Sequence, residues 1–218
     1  MVSKTFHFVI TNTRWAVENC PSARYVLKSD DDVFVDTYHL GYFLARHGFN
    51  DKPSFLLCNV RANGTAVRRN SEGGFAKWNV RREDYPEETY PQYCTGAAYV
   101  TTVASIRLIL GVVVNMDSHI HVDDAFVTGL GTRGTGIPFH DWSYYFMNTH
   151  AGYKKDLLDP ERLFFSPELM VFFNIGPEEI RLLYAKSELC AKYSEKCYDL
   201  LWNDGEKEQS LSNVRTEL

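Results

Sequence analysis

No stretch of the 218-residue chain approaches the roughly 20 consecutive apolar residues of a membrane-spanning helix. The longest apolar run, Ile106 to Val114, is broken by Arg107 and Gly111. The first residues, MVSKTFHFVI, lack the small-residue cleavage site of a signal peptide. Taken literally, such a chain is soluble and cytosolic. A surplus of positive charge is also missing: 23 Lys and Arg stand against 28 Asp and Glu, for a net charge of −5. Nothing therefore advertises a surface for a polyanion, and nucleic acid is not an expected partner. The five cysteines, Cys20, Cys58, Cys94, Cys190 and Cys197, include no C-x-x-C pair, which argues against a zinc ribbon or a thioredoxin-like motif. Buried free thiols are their plain expectation; disulfides are the alternative in a secreted parent, with at least one cysteine left over. Internal repeats and low-complexity blocks are absent too.

What is present is globular. Hydrophobic residues make up 44% and charged residues 23% of the chain, which excludes wholesale disorder. Aromatics reach 14%; such side chains build cores and also line sugar- and base-binding clefts. Thr5 to Cys20 reads as a helix, with Phe6, Val9, Ile10, Thr13, Ala16 and Val17 at helical spacing and Pro21 as its stop. Arg24 to Ser29 reads as a strand, Asp36 to His47 as a helix with Leu40, Phe43 and Leu44 inward, and Ser54 to Val60 as another strand. Residues 61–91 are polar and lack periodicity, but Phe75, Trp78 and Tyr85 need somewhere to pack, so strands and loops are expected rather than a linker. Cys94 to Thr101 is strand-like, and Thr101 or Thr102 caps a helix through Leu110. Asp123 and Asp124 fall in the first turn of a helix carrying Phe126, Val127 and Leu130, closed by Gly131, Gly134 and Gly136. Pro177, Glu178 and Glu179 open a helix to about Lys192, and a polar tail follows from Asn203. Strands alternating with helices predict an α/β fold.

The sharpest local feature is Lys28-Ser29-Asp30-Asp31-Asp32-Val33-Phe34-Val35. An apolar strand delivers three carboxylates to its C-terminal end, where open α/β sheets bind ligands. In an extended segment Asp30 and Asp32 share a face and Asp31 points away. Two adjacent carboxylates are costly without a cation or donors, and hard oxygen ligands suit Mn²⁺ or Mg²⁺ with a diphosphate. A solvated acidic turn capping the helix from Asp36 accounts for the same residues, and the motif alone does not decide between them. A second feature is His121-Val122-Asp123-Asp124-Ala125-Phe126-Val127. Asp123 reads as a dipole partner at the helix start, whereas Asp124 is a general base if the fold brings it opposite the first cluster. A third is the run from Tyr90 to Val100, where Gly96, Ala97 and Ala98 permit close backbone approach to a ligand or make a tight strand turn. The seven histidines show no H-x-x-x-H pair with a supporting Glu.

In order along the chain, these segments resemble the β-1,3-glycosyltransferase family, which includes β-1,3-galactosyltransferases and their Fringe-like relatives. The resemblance runs from about Trp15 to Gly136 and more weakly to Tyr184. It rests on Trp15 and Cys20-Pro21, Tyr25 to Val35 (YVLKSDDDVFV), Lys77-Trp78 with Tyr85-Pro86, Tyr90 to Val100, and Asp123 to Gly129. It implies an α/β GT-A-like nucleotide-sugar transferase fold, a mixed sheet flanked by helices, in an N-terminally incomplete catalytic domain over residues 1–202 with a polar tail at 203–218. It further implies an inverting transfer of galactose or an N-acetylhexosamine from a UDP-sugar donor to a glycan hydroxyl, with Mn²⁺ or Mg²⁺. Asp32 is then the main metal ligand, and Asp30 faces the ribose or a metal-bound water. Asp31, Lys77, Trp78 and Gly96 stand with the donor, and Asp124 is the base.

Three departures bear on these expectations. The family's Glu-Asp-Val reads Asp123-Asp124-Ala125 here, and Ala97 and Ala98 narrow the room after Gly96. Where the family places a metal-binding histidine, in the segment Val171 to Tyr184, this chain has Phe173 with Asn174 beside it. Either His150 or His140 takes that part, or metal binding is weakened. Family members also carry a cytosolic tail, a signal-anchor, a stem and a first nucleobase-holding unit, so the implied parent is a Golgi type II membrane protein working lumenally in glycosylation. A catalytically inactive relative acting as a binding partner is the rival reading. An unrelated Mg²⁺-dependent phosphotransfer enzyme is a second rival that explains fewer segments. Asn63-Gly64-Thr65 is the only N-glycosylation sequon. Cys20 and Cys94, which flank the donor strand region, are the expected bridge in an oxidised parent.

Overall fold

The computed structural model describes residues 4–67, 78–116, 120–148, 171–173 and 175–192. The chain forms two compact units, one from Met1–Ser29 with Lys52–Ser143, the other from Asp30–Asp51 with Tyr144–Leu218. Each contains a mixed sheet with helices, an α/β organisation.

In the first unit, helix α1 (Lys4–Asn19) precedes strand β1 (Val26–Ser29). Val9 is buried while Trp15 is 59% exposed, so the expected stripe, not the aromatic content, sets the inward face. Strands β3 (Leu56–Arg61) and β4 (Tyr93–Thr101) and the short β5 (Phe139–Asp141) complete a sheet of order β1-β4-β3-β5, counting β2 in the other unit. The β1–β4 and β4–β3 pairs are antiparallel and β3–β5 is parallel. β3 begins fully buried (Leu56, Leu57, Cys58), which is why it reads as an unbroken apolar run. Helix α3 (Val103–Val113) is capped by Thr102, whose side chain accepts from the Ser105 amide. Ser105 in turn accepts from the Phe55 amide at 3.0 Å, and the Thr101 hydroxyl donates to the Phe55 carbonyl at 2.6 Å. Buried backbone groups before β3 are thereby satisfied without a further strand.

The core of this unit joins α1, β3, β4, α3 and the helical turns after Val122 through Val9, Leu56, Ile109, Val113, Phe126 and Leu130. Gly131 belongs to it as a packing residue rather than as a helix end. A Cβ there would lie 2.8 Å from Val113 Cγ1, so only glycine lets this turn close on α3. Gly134 and Gly136 do terminate the segment, at φ of +72° and +70°. The described parts of the polar stretch after β3, 61–67 and 78–91, are joined by a Thr65–Thr89 bridge and by the Tyr90 amide donating to the Gly64 carbonyl at 2.8 Å. Tyr85 is buried as expected, and Trp78 is 39% exposed; Phe75 lies outside the described residues.

A disulfide joins Cys58 of β3 to Cys94 of β4, with Cα atoms 5.5 Å apart; Cys190 is also disulfide-bonded, and Cys20 is a free thiol. This corrects both the Cys20–Cys94 bridge and the plain free-thiol expectation. Val60 pairs with Cys94 in the ladder, so the two cysteines meet across neighbouring strands, whereas flanking a region in sequence brings no sulfurs together. Closing a loop of this length contributes roughly 2–4 kcal/mol. Replacing Cys58 and Cys94 together by alanine should lower urea-unfolding stability by about that amount, and Cys20→Ser should change it little. Mass mapping that finds Cys94 bonded to Cys20 would overturn the pairing.

In the second unit, strand β2 (Val33–Val35), β6 (Phe146–Asn148) and β7 (Val171–Phe173) form a sheet of order β2-β7-β6. β2 and β7 are antiparallel and β6 and β7 parallel. Helix α2 (Thr37–Arg46) buries His39, Leu40, Phe43 and Leu44. Helix α4 (Pro177–Lys192) carries Glu178 and Glu179 in its first turn, where negative charge suits the dipole. Phe34, Phe172, Ile175 and Leu183 make a small core. Asp36, buried, accepts from the His39 amide at 3.0 Å and from the Ser187 hydroxyl at 2.6 Å, tying α2 to α4.

Candidate active site

The strand β4 leaves regular pairing where its small residues lie. Cys58 faces Tyr99 and Val60 faces Cys94, so Thr95 to Ala98 stand opposite Asn59 alone. Such bulges re-aim backbone groups and recur beside functional sites. Gly96 sits within this irregular stretch of the strand, where a side chain approaches its backbone.

That side chain is Asp124. Its Oδ2 accepts the Gly96 amide at 3.1 Å and its Oδ1 the Ala125 amide at 2.8 Å. The sequence assigned the helix-start role to Asp123, but it is Asp124 that accepts the Ala125 amide at the start of the turn. The reason is local: a turn of π-helix over Ala125–Gly129 follows Asp124 directly and makes Asp124 its capping residue. Such turns are rare and concentrate at functional sites. The Thr128 hydroxyl donates to the Asp124 carbonyl at 2.7 Å and accepts from the Cys94 amide at 2.9 Å. The π turn is thus stitched to β4 beside the disulfide. A Cβ on Gly96 would meet Asp124 Oδ2 at 3.6 Å, ordinary contact that would cover the carboxylate.

Burial pushes the Asp124 carboxyl up to about 6, with Asp123 adding to the rise and the two amides and Lys28 opposing it. A carboxylate so tuned accepts a proton near neutral pH. Tyr93, half-buried on β4, is raised by burial and then by Asp124. Lys28 of β1 donates to the Gly96 carbonyl. Neither Lys28 nor Thr128 was assigned a part from the sequence. A lysine inside an otherwise apolar strand, and a threonine four residues after Asp124, were the signals.

The acidic cluster lies in the other unit, between β1 and β2. Asp30, Asp31 and Asp32 are all exposed, and the chain turns through Asp31 and Asp32. The alternation that put Asp30 and Asp32 on one face requires an extended chain, so it does not hold here. The plain alternative holds in part: the acidic turn is solvent-exposed, but Asp36 rather than the turn supplies the α2 cap. Phe173 pairs with Val33 across β2 and β7, and the Ile175 amide donates to the Asp32 carbonyl at 3.3 Å. The position where the resemblance expects a histidine therefore does lie beside Asp32, though a phenylalanine occupies it. Among the described residues no group of three or more His, Cys, Asp or Glu side chains is placed to hold a metal ion. His140 lies in β5 with its ring edge-on to Phe55 at 6.3 Å, and burial lowers its pKa. Lys77, His150 and Asn174 fall outside the described residues, and Trp78 stands partly exposed at the edge of the described segment.

A family model described as Galactosyltransferase matches residues 4–143. The chain is 30% identical over 169 residues to the lactosylceramide 1,3-N-acetyl-beta-D-glucosaminyltransferase of Rattus norvegicus, across 71% of this chain and 43% of that protein. To lactosylceramide 1,3-N-acetyl-beta-D-glucosaminyltransferase A of Xenopus laevis it is 27% identical over 173 residues, across 71% of this chain and 44% of that one. To beta-1,3-galactosyltransferase 1 of Homo sapiens it is 31% identical over 129 residues, across 59% of this chain and 37% of that one. It thus spans less than half the length of these curated relatives. The matched region contains the acidic turn, the β4 bulge and Asp124, and the chain belongs to the galactosyltransferase family of β-1,3-glycosyltransferases.

Proposed function

We propose that residues 1–202 carry GT-A-type catalytic machinery for inverting β-1,3 transfer of galactose or an N-acetylhexosamine from a UDP-sugar to a glycan on glycoprotein or glycolipid. Residues 203–218 form a tail outside that machinery. The observation that carries the reading is Asp124, held by two backbone amides at a strand bulge and raised toward neutrality. Its remaining lone pairs accept the proton of the acceptor hydroxyl. The hydroxyl oxygen attacks the anomeric carbon, the bond from that carbon to the diphosphate oxygen breaks with its electron pair, and UDP leaves. The new glycosidic bond has the opposite configuration, because attack and departure occur on opposite faces.

Exposed carboxylates are the oxygen donors that a hard cation such as Mn²⁺ or Mg²⁺ takes when a substrate diphosphate supplies further oxygens, and the acidic turn carries three of them, Asp30, Asp31 and Asp32. Asp32 and Asp30 would hold the ion, with His150 as a further ligand. When bound, such an ion neutralises charge on the leaving diphosphate. Asp31, Lys77, Trp78 and Gly96 are assigned to the donor. UDP-sugar hydrolysis with added Mn²⁺ tests this function. Turnover supports it, while turnover of phosphate monoesters instead would favour the phosphotransfer alternative.

Phe173 favours a second reading. A phenylalanine beside Asp32 supplies no ligand, as expected of a relative that binds partners without catalysis; UDP-sugar left intact under those conditions would select it.

The relatives imply a secretory-pathway setting, Golgi and lumenal, with any anchor outside the described residues, among which no helix is long and apolar enough to cross a membrane. Asn63 is exposed at the end of β3 with φ of +54°, a turn position that an attached glycan does not disturb. Expression through a secretory pathway should therefore add one N-glycan, lost in Asn63→Gln and on amidase treatment. An unmodified Asn63 in secreted material would show that this turn is not accepted as a glycosylation site.

A further inference from the structure

Gly96 is gripped from both sides. Its amide donates to Asp124 Oδ2 at 3.1 Å, and its carbonyl accepts from the ammonium of Lys28. The bulge explains why. β1 pairs with β4 only from Val26↔Thr101 to Ser29↔Ala98, and β3 skips Thr95 to Ala98. The Gly96 carbonyl thus lies beyond both ladders and needs another donor. Lys28 is half-buried in a strand whose other side chains are mainly apolar, a costly place for an ammonium without such a partner.

We propose that Lys28 is a positioning residue for Asp124: it fixes the Gly96 peptide that the carboxylate rests on and sets a positive charge beside that carboxylate. The catalytic part of this inference rests on Asp124 acting as the base. The groups facing Asp124 divide by sign. Asp123 alongside it disfavours the carboxylate and Lys28 from β1 favours it. Tyr93 from β4 is neutral at working pH and is itself influenced by Arg61 of β3. Among the described residues Lys28 is a cation whose charge opposes that of Asp123 at this carboxylate.

The test is a carbon-13 NMR titration of the aspartate carboxyls in the full chain, with the Asp124 resonance assigned by its loss in Asp124→Asn. In Lys28→Met the Asp124 midpoint should rise above that of the unmodified chain, whereas Lys28→Arg should keep it in place. Lys28→Gln, which retains a donor and drops the charge, should move it in the same direction as Lys28→Met and replaces that variant if it does not fold. Transfer should follow, with kcat falling a few-fold near pH 6 and recovering by about pH 8, and acceptor KM little changed. A midpoint unchanged in both neutral variants overturns the proposal, as does an equal shift in Lys28→Arg. If the carboxyl responds to Lys28 but Asp124→Asn still transfers at full rate, the base assignment fails and the positioning of Asp124 stands.

Discussion

Asp124→Asn is expected to slow sugar transfer about 10²–10⁴-fold while leaving affinity for UDP in place. The asparagine has the same shape and keeps one acceptor oxygen for the Gly96 or Ala125 amide. The other amide then faces an NH₂ group, so stability drops by about 1–3 kcal/mol without loss of the fold. What disappears is the ability to take a proton. Asp123→Asn should lose much less, since it is Asp124 that accepts both the Gly96 and the Ala125 amides. The pH dependence has a definite sign. A base with pKa near 6, raised first by burial, is active as the carboxylate, so transfer falls as pH drops through about 6 and levels off above it. A transfer assay on both variants decides the matter: Asp123→Asn as the inactive one, or full rate in both, would show the assignment to be wrong.

Asp32→Ala is expected to abolish Mn²⁺-dependent UDP binding with little effect on folding. Its side chain is exposed, while its carbonyl, which the mutation leaves intact, accepts the Ile175 amide beside β7. No packing is lost, and the unit's small core of Phe34, Phe172, Ile175 and Leu183 is untouched. Removing one carboxylate from a site that relies on one or two of them plus the substrate's own oxygens leaves too few hard ligands. Calorimetry with UDP, with and without Mn²⁺, reads this directly. Metal-dependent binding of undiminished strength in the variant would remove Asp32 from the metal site.

Elements with a strong apolar pattern were legible in the sequence. Helix α4 begins at Pro177 and ends at Lys192 as read, and α3 is capped by Thr102 as one of two named candidates. The cap of α2 was legible in position, since Asp36 opens it, but its link to Ser187 is a contact across 151 residues that local pattern cannot show. The site was legible in residue type and not in geometry. Asp124 could be named, yet the bulge at Thr95–Ala98 and the π turn that aim it depend on strand register and on Thr128, which no periodicity encodes. The same limit accounts for the disulfide, since Cys58 and Cys94 are brought together by pairing between β3 and β4. Trp78 shows the converse: its size predicted packing, and it stands partly exposed.

Central to this account is a single displacement at the anomeric carbon with Asp124 as base, and the anomeric configuration of the product reads it most directly. With an α-linked UDP-sugar donor, Mn²⁺ and a glycan acceptor, proton NMR should show a new β-anomeric signal and a 1→3 linkage, absent with Asp124→Asn. An α-linked product, or donor left intact, would contradict it.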